Sequence, residues 1–182
     1  MRRAAPYLRV DEFLPEGAAE TLFEELVARE PEFLARGADS RGPKLYRLPV
    51  SIGPPPEFVR RFRTLVPALE RRFGTLLERA DVELVAQAYP HGGSFGRHRD
   101  AAAGGPNWKR RLSGVYYLHR RPPQFQGGNL VLYDRSGFAH AVEPDHNTAV
   151  FFSRDALHEV QPVSCPSEAF ADFRFALNIW IS

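Results

Sequence analysis

TAVFFSRDALHEVQPV, residues 148–163, holds two short runs rich in β-branched and aromatic residues, separated by Arg154, Asp155 and Ala156. Runs of that length and composition, broken by polar residues, read as strands and are too short for helices. The same texture extends outward in both directions. Upstream lie VELVAQAYP (82–90), SFGRHRD (94–100), LSGVYYLHR (112–120) and NLVLYD (129–134), and downstream lies FRFALNIWI (173–181). Turn-forming sequences such as QGGN (126–129) and EPDHN (143–147) separate them. Seven short strands in series predict a sandwich or jelly roll.

Before Asp81 the periodicity changes. PEGAAETLFEELVARE (15–30) places Ala18, Leu22, Phe23, Leu26 and Val27 at helical spacing, with Pro15 and Glu16 suited to a helix start. EFVRRFRTLVPALERRFGTLLERA (57–80) repeats the pattern through Phe58, Phe62, Leu65, Val66, Leu69, Phe73, Leu76 and Leu77. Pro67 is expected to kink or divide that helix. Between the two, LYRLPVSI (45–52) is a candidate edge strand inside a Gly- and Pro-rich stretch. The expectation is therefore a mainly β chain with flanking helices (α+β). It forms one domain over 1–182, with a mainly helical support region at 1–80 and a β core at 81–182.

Composition narrows the function classes. The 182 residues are 43% hydrophobic with a net charge of only +2, and the basic clusters are interspersed with acids. Nucleic-acid binding is thus not favoured. No stretch approaches the ~20 apolar residues of a membrane span. A single cysteine, Cys165, makes neither an internal disulfide nor a cysteine-based zinc site. No apolar run follows the basic MRRAAPYLRV, so a cytoplasmic location is expected.

His98 and Asp100 are two apart, so on a strand both side chains leave the same face and can grip one ion. By itself the pair is weak, since a chance His-x-acid pair is nearly expected among six histidines and 22 acidic residues. His158, opening a strand 60 residues later, is the candidate third donor. Two imidazoles and one carboxylate on one face of an octahedron leave open positions suited to iron(II) oxygen chemistry. Arg174 is a separate signal: a charge inside the apolar run FRFALNIWI is costly unless something anionic meets it.

Four segments together resemble the prolyl-4-hydroxylase-like branch of the 2-oxoglutarate/Fe(II)-dependent oxygenases. They are AYPHGGSFGRHRD (88–100), LSGVYYL (112–118), GGNLVLYD (127–134) with TAVFFSRDALHEVQPV, and RFALNIW (174–180). The resemblance covers about residues 84 to 181, with a generic match at YLRVDEFLP. It implies a double-stranded β-helix supported by the two N-terminal helices. It also implies His98, Asp100 and His158 as iron ligands and Arg174 as the anchor for the distal carboxylate of 2-oxoglutarate. Tyr89 and Tyr117 match positions beside the co-substrate, and Trp180 an aromatic near the substrate mouth. Trp108, in the Ala/Gly-rich loop AAAGGPNW (101–108), is a second candidate for substrate contact. That loop reads equally as a closing lid or a plain connector.

The implied cofactors are Fe(II), 2-oxoglutarate and O2, with ascorbate as a reductant. The implied activity is hydroxylation of a C–H bond in a prolyl or other amino-acyl substrate, whether protein, peptide or amino acid, with release of succinate and CO2. Asp100 argues against a halogenase, which lacks that carboxylate. RFALNIW supplies one arginine where nucleic-acid dealkylases of the superfamily carry two. Two further alternatives stay open: a zinc hydrolase using the same ligands, and a non-catalytic module that holds metal and 2-oxoglutarate. His91, His119, His140 and His146 read as loop or strand-surface residues, and Gly127 and Gly128 as a turn. The loop at 101–110 and RRPPQFQ (120–126) are the places to look for specificity.

Overall fold

The computed structural model describes residues 6–37, 44–100 and 109–182. Trp108, and most of the loop read as lid or connector, lie outside them. The elements run β1 (Tyr7–Val10), α1 (Glu16–Ala28), β2 (Leu34–Arg36), β3 (Leu45–Arg47), α2 (Pro56–Phe73), β4 (Val82–Tyr89), β5 (Phe95–His98) and β6 (Leu112–Leu118). They continue with β7 (Gln126–Gly127), β8 (Leu130–Tyr133), β9 (Ala139–Val142), β10 (Thr148–Ser153), β11 (Leu157–Val160), β12 (Val163–Ser164) and β13 (Arg174–Ile181).

Two sheets carry the fold. One has seven strands in the order β1-β10-β6-β13-β4-β3-β2, and the other four in the order β5-β11-β8-β9; β7 and β12 form a two-stranded ribbon. All pairings are antiparallel. All seven strands expected from the sequence are present. The helical N-terminal region does more than support them: β1 closes one edge of the large sheet, and β3 and β2 the other. The candidate edge strand LYRLPVSI forms over Leu45–Arg47 as β3 and lies one place inside the edge, because β2, which was not expected, pairs on its outer side.

Alternation along β13 separates the two faces of the large sheet. Arg174, Ala176 and Asn178 face a pocket, while Phe175 on the opposite face meets Phe23 of α1 at a ring-centroid distance of 5.5 Å. On that opposite face Phe58 of α2 packs against Tyr116, and Phe62 against Phe151. Both helices thus cover one face and leave the other to the pocket.

Helix α2 is not divided at Pro67 and stops earlier than its apolar periodicity implies. Pro67 lies on the exposed side, as does Arg63, whose carbonyl loses its i+4 partner. On the other side of the helix Phe58, Phe62, Val66 and Leu69 stay buried. The helix ends at Gly74, whose φ of 64° and ψ of 32° reverse the chain in the left-handed region. Leu76, counted as part of the periodic face, is 77% exposed.

Asn147 ties the N-terminal segment to the sheet. Its backbone is left-handed, with φ 57°, and its amide side chain exchanges hydrogen bonds with Leu14: N–H to Oδ1 at 2.9 Å and Nδ2 to the carbonyl at 2.8 Å. The Tyr116 hydroxyl donates to the same Oδ1 at 2.8 Å. Asn147→Ala leaves these buried groups unpaired at roughly 1–3 kcal/mol each, of which neighbours recover a part. We expect a loss of about 3 kcal/mol, a fall in Tm on the order of 10 °C. A melting curve within about 2 °C of the parent would refute it.

Candidate metal and co-substrate site

The His98–His158 pairing is made by register. In the small sheet, β11 lies antiparallel to β5 with His158 directly opposite His98. Two imidazoles 60 residues apart in the chain therefore become cross-strand neighbours, with ring centroids 4.2 Å apart. Asp100, just past β5, brings its Oδ1 to 3.7 Å from Nε2 of each histidine. All three donors lie within 4.8 Å of one another. It is the one such group of three or more His, Cys, Asp or Glu among the described residues.

Neighbours fix each ring. His98 Nδ1 sits 2.8 Å from the Gly96 carbonyl, and His158 Nδ1 2.9 Å from that of Ala156. A carbonyl only accepts, so Nδ1 carries the proton and Nε2 presents its lone pair toward Asp100. Phe95 stacks on His98 at 3.9 Å, and Phe152 leans on His158 at 4.8 Å. Burial lowers the pKa of His158 despite the nearby Asp100 carboxylate, which favours the neutral, metal-ready form.

Arg174 lies in the same pocket, on the large sheet, and is 1% exposed. Tyr89 is its cross-strand partner on β4. The guanidinium carbon lies 4.7 Å from the ring of Tyr89 and 4.9 Å from that of Tyr117, so both rings offer it cation–π contact. No carboxylate compensates it: Nε and Nη1 have no hydrogen-bond partner among the described residues. The Tyr117 hydroxyl is likewise without one, whereas that of Tyr89 donates to Gln87 Oε1 at 2.8 Å. Burial pushes the Tyr117 phenol up to about 12 and that of Tyr89 further still, so both remain protonated donors at neutral pH.

The donor set and the unmatched guanidinium fit a metal ion with an anionic co-substrate. Two neutral imidazoles and a carboxylate suit a divalent cation, and the orphaned N–H groups of Arg174 suit a carboxylate. Phe95, Leu130 and Val160 line the wall between them.

Other expectations fare differently. Trp180 stands on the pocket face of β13 but about 20 Å along the strand from Arg174, and it does not line the pocket. Two guanidiniums lie over its ring, Arg110 at 3.5 Å and Arg47 at 5.5 Å from the ring centre. His119 is buried rather than on the surface, with His146 Nδ1 accepting from its backbone N–H. Gln87 and Asn178, which line the pocket, escaped the sequence reading because amides in strands carry no motif.

Gly128 is more than a turn residue. At φ 68°, an added Cβ would lie 2.6 Å from Arg174 Cδ and 2.8 Å from a methyl of Val163. The chain approaches Arg174 so closely that only hydrogen fits. Gly128→Ala is expected to displace the guanidinium and weaken 2-oxoglutarate binding about tenfold, with iron affinity unchanged. Titrations of each ligand separate the two, and parallel losses would refute the positioning role. The GG pair was the available signal.

Comparison with known proteins shows the family. The model of the 2OG-Fe(II) oxygenase superfamily matches residues 84–182. An uncharacterized PKHD-type hydroxylase of Synechocystis sp. is 35% identical over 113 residues, 57% of this chain. The match covers 37% of that relative's length. The crystal structure of a Pseudomonas putida prolyl-4-hydroxylase superposes with a TM-score of 0.70 at 25% identity, covering 97% of this chain and 91% of that one. A Trichoplax adhaerens prolyl hydroxylase, solved with a hypoxia-inducible-factor peptide fragment, gives 0.68 at 18% identity over 97% and 83%. The second likeness shows the fold alone. No described helix is long and apolar enough to cross a membrane.

Proposed function

This chain belongs to the 2OG-Fe(II) oxygenase superfamily, and on that premise we propose that it hydroxylates a C–H bond of a prolyl or other amino-acyl residue in a peptide or protein. The observation that carries the proposal is the buried guanidinium of Arg174, whose Nε and Nη1 have no hydrogen-bond partner among the described residues, in the pocket where His98, Asp100 and His158 converge. The chemistry supplied by bound iron and 2-oxoglutarate is oxidative decarboxylation coupled to hydroxylation, with one oxygen atom ending in succinate and the other in the product.

The residues of the chain bind, orient and exclude water. His98 and His158 offer Nε2 because their Nδ1–H groups are committed to Gly96 and Ala156. Asp100 supplies the anionic donor between them. Arg174 receives the distal carboxylate of 2-oxoglutarate, with the Tyr117 hydroxyl free to add a hydrogen bond. Phe95, Phe152, Leu130 and Val160 keep this space apolar, which strengthens each polar contact within it. No side chain need act as a general base.

Anaerobic addition of iron(II) and 2-oxoglutarate is expected to give the visible absorption of their chelate. Admission of oxygen should then convert 2-oxoglutarate to succinate, faster with a proline-containing peptide substrate. A metal centre that hydrolyses substrates with zinc, indifferent to oxygen and 2-oxoglutarate, would defeat the proposal.

A further inference from the structure

The charge of this chain is nearly balanced, at 24 basic against 22 acidic residues, yet one groove beside the metal pocket is strongly basic. Arg79, Lys109, Arg110, Arg111 and Arg154 line it, and Asp81 is the one acidic side chain among its lining residues. It lies between the Gly74–Arg79 segment after α2 and the Lys109–Arg111 segment before β6.

Three of these guanidiniums hold backbone carbonyls. Arg111 Nη1 donates to the Leu76 carbonyl at 2.8 Å, and Arg110 Nη1 to the Asp100 carbonyl at 3.0 Å. Arg154 bonds the Arg110 carbonyl and has Asp155 at 3.7 Å. Carbonyls orient guanidinium groups without cancelling them, so five cationic side chains against Asp81 leave the groove with an excess of positive charge.

Arg110 joins this groove to the site. Its guanidinium holds the backbone of Asp100, whose side chain lies 3.7 Å from both histidines, and stands over the ring of Trp180. A chain lying in the groove would therefore run past Arg110 toward the pocket.

We propose that Arg79, Lys109, Arg110 and Arg111 dock an acidic segment of a polypeptide substrate and present its neighbouring residue to the pocket. The inference rests on the hydroxylase reading above and specifies its substrate class. Exposed Leu76, among the lining residues, favours a polypeptide over a nucleic acid: it offers aliphatic contact to a side chain. Single-stranded nucleic acid sites use aromatic platforms for base stacking. Among the described residues no aromatic side chain lines this groove.

The test uses the full chain and a fluorescein-labelled peptide of glutamates flanking one proline. A lysine counterpart and a labelled oligothymidylate serve as controls, and binding is read by anisotropy without turnover. The glutamate peptide is expected to bind, to weaken as salt rises, and to lose about tenfold or more with Arg79→Glu/Arg111→Glu. Both positions are exposed and outside the metal and co-substrate site. Iron-dependent succinate formation without peptide should therefore be unchanged, and the Arg79→Gln/Arg111→Gln variant should show a smaller loss in binding. Equal binding of the lysine peptide, indifference to the charge reversal, or tighter binding of oligothymidylate would each overturn the groove assignment. Absence of succinate formation by the parent would instead defeat the hydroxylase reading, since peptide binding is measured independently.

Discussion

His158→Ala is expected to abolish iron-dependent conversion of 2-oxoglutarate to succinate, a loss of at least about two orders of magnitude. Metal-site affinity rests on the number and placement of donors, and even the partners that merely orient a ligand are worth ~10–100-fold. His158 is the donor least open to replacement by water. It is 5% exposed, wedged against Phe152, and opposite His98 in the β5–β11 register. Alanine there leaves a cavity, so a drop in stability of order 1–3 kcal/mol accompanies the loss. His158→Gln, which fills the space more closely, separates the effects: it should restore melting but not turnover. The measurement is succinate formed per iron bound. Parent-like turnover in either variant would remove His158 from the metal site.

Arg174→Met should move stability and ligand binding in opposite directions. In the ligand-free protein the guanidinium is buried with Nε and Nη1 unpaired, which costs free energy that its two tyrosine rings only partly offset. Methionine removes the charge while keeping an unbranched stem against Gly128 and Val163, so the ligand-free variant should melt at the same temperature or higher. Binding of 2-oxoglutarate should fall by the worth of a buried charge pair, on the order of 3–5 kcal/mol, or about 10²- to 10⁴-fold. Thermal shift with and without the co-substrate reads both at once. A variant still stabilised by 2-oxoglutarate as strongly as the parent would show that Arg174 does not hold it.

These two residues also differ in how they could be recognised beforehand. Arg174 announces itself, because a cation within FRFALNIWI demands an anion wherever that strand is buried. His158 does not: the pair His98 and Asp100 is a chance-level signal, and the 60-residue gap to His158 becomes meaningful only through resemblance to a family. Gly128 was undervalued for a related reason. A glycine pair between strands ordinarily serves a turn, and nothing local tells that Arg174 packs on its Cα.

The sequence by itself determined the seven core strands, the two amphipathic helices and the residue types able to hold a metal and a dicarboxylate. Each follows from short-range periodicity, turn chemistry or the cost of burying a charge. Tertiary structure alone decided that β1 and β2 close the edges of the large sheet, with β3, the candidate edge strand of LYRLPVSI, one place inside, and that α2 runs through Pro67 to Gly74. It alone also set His158 opposite His98, packed Gly128 against Arg174, and gathered basic residues from three segments into one groove. Those are matters of register and close approach between distant segments, and local pattern carries no information about which strands become neighbours.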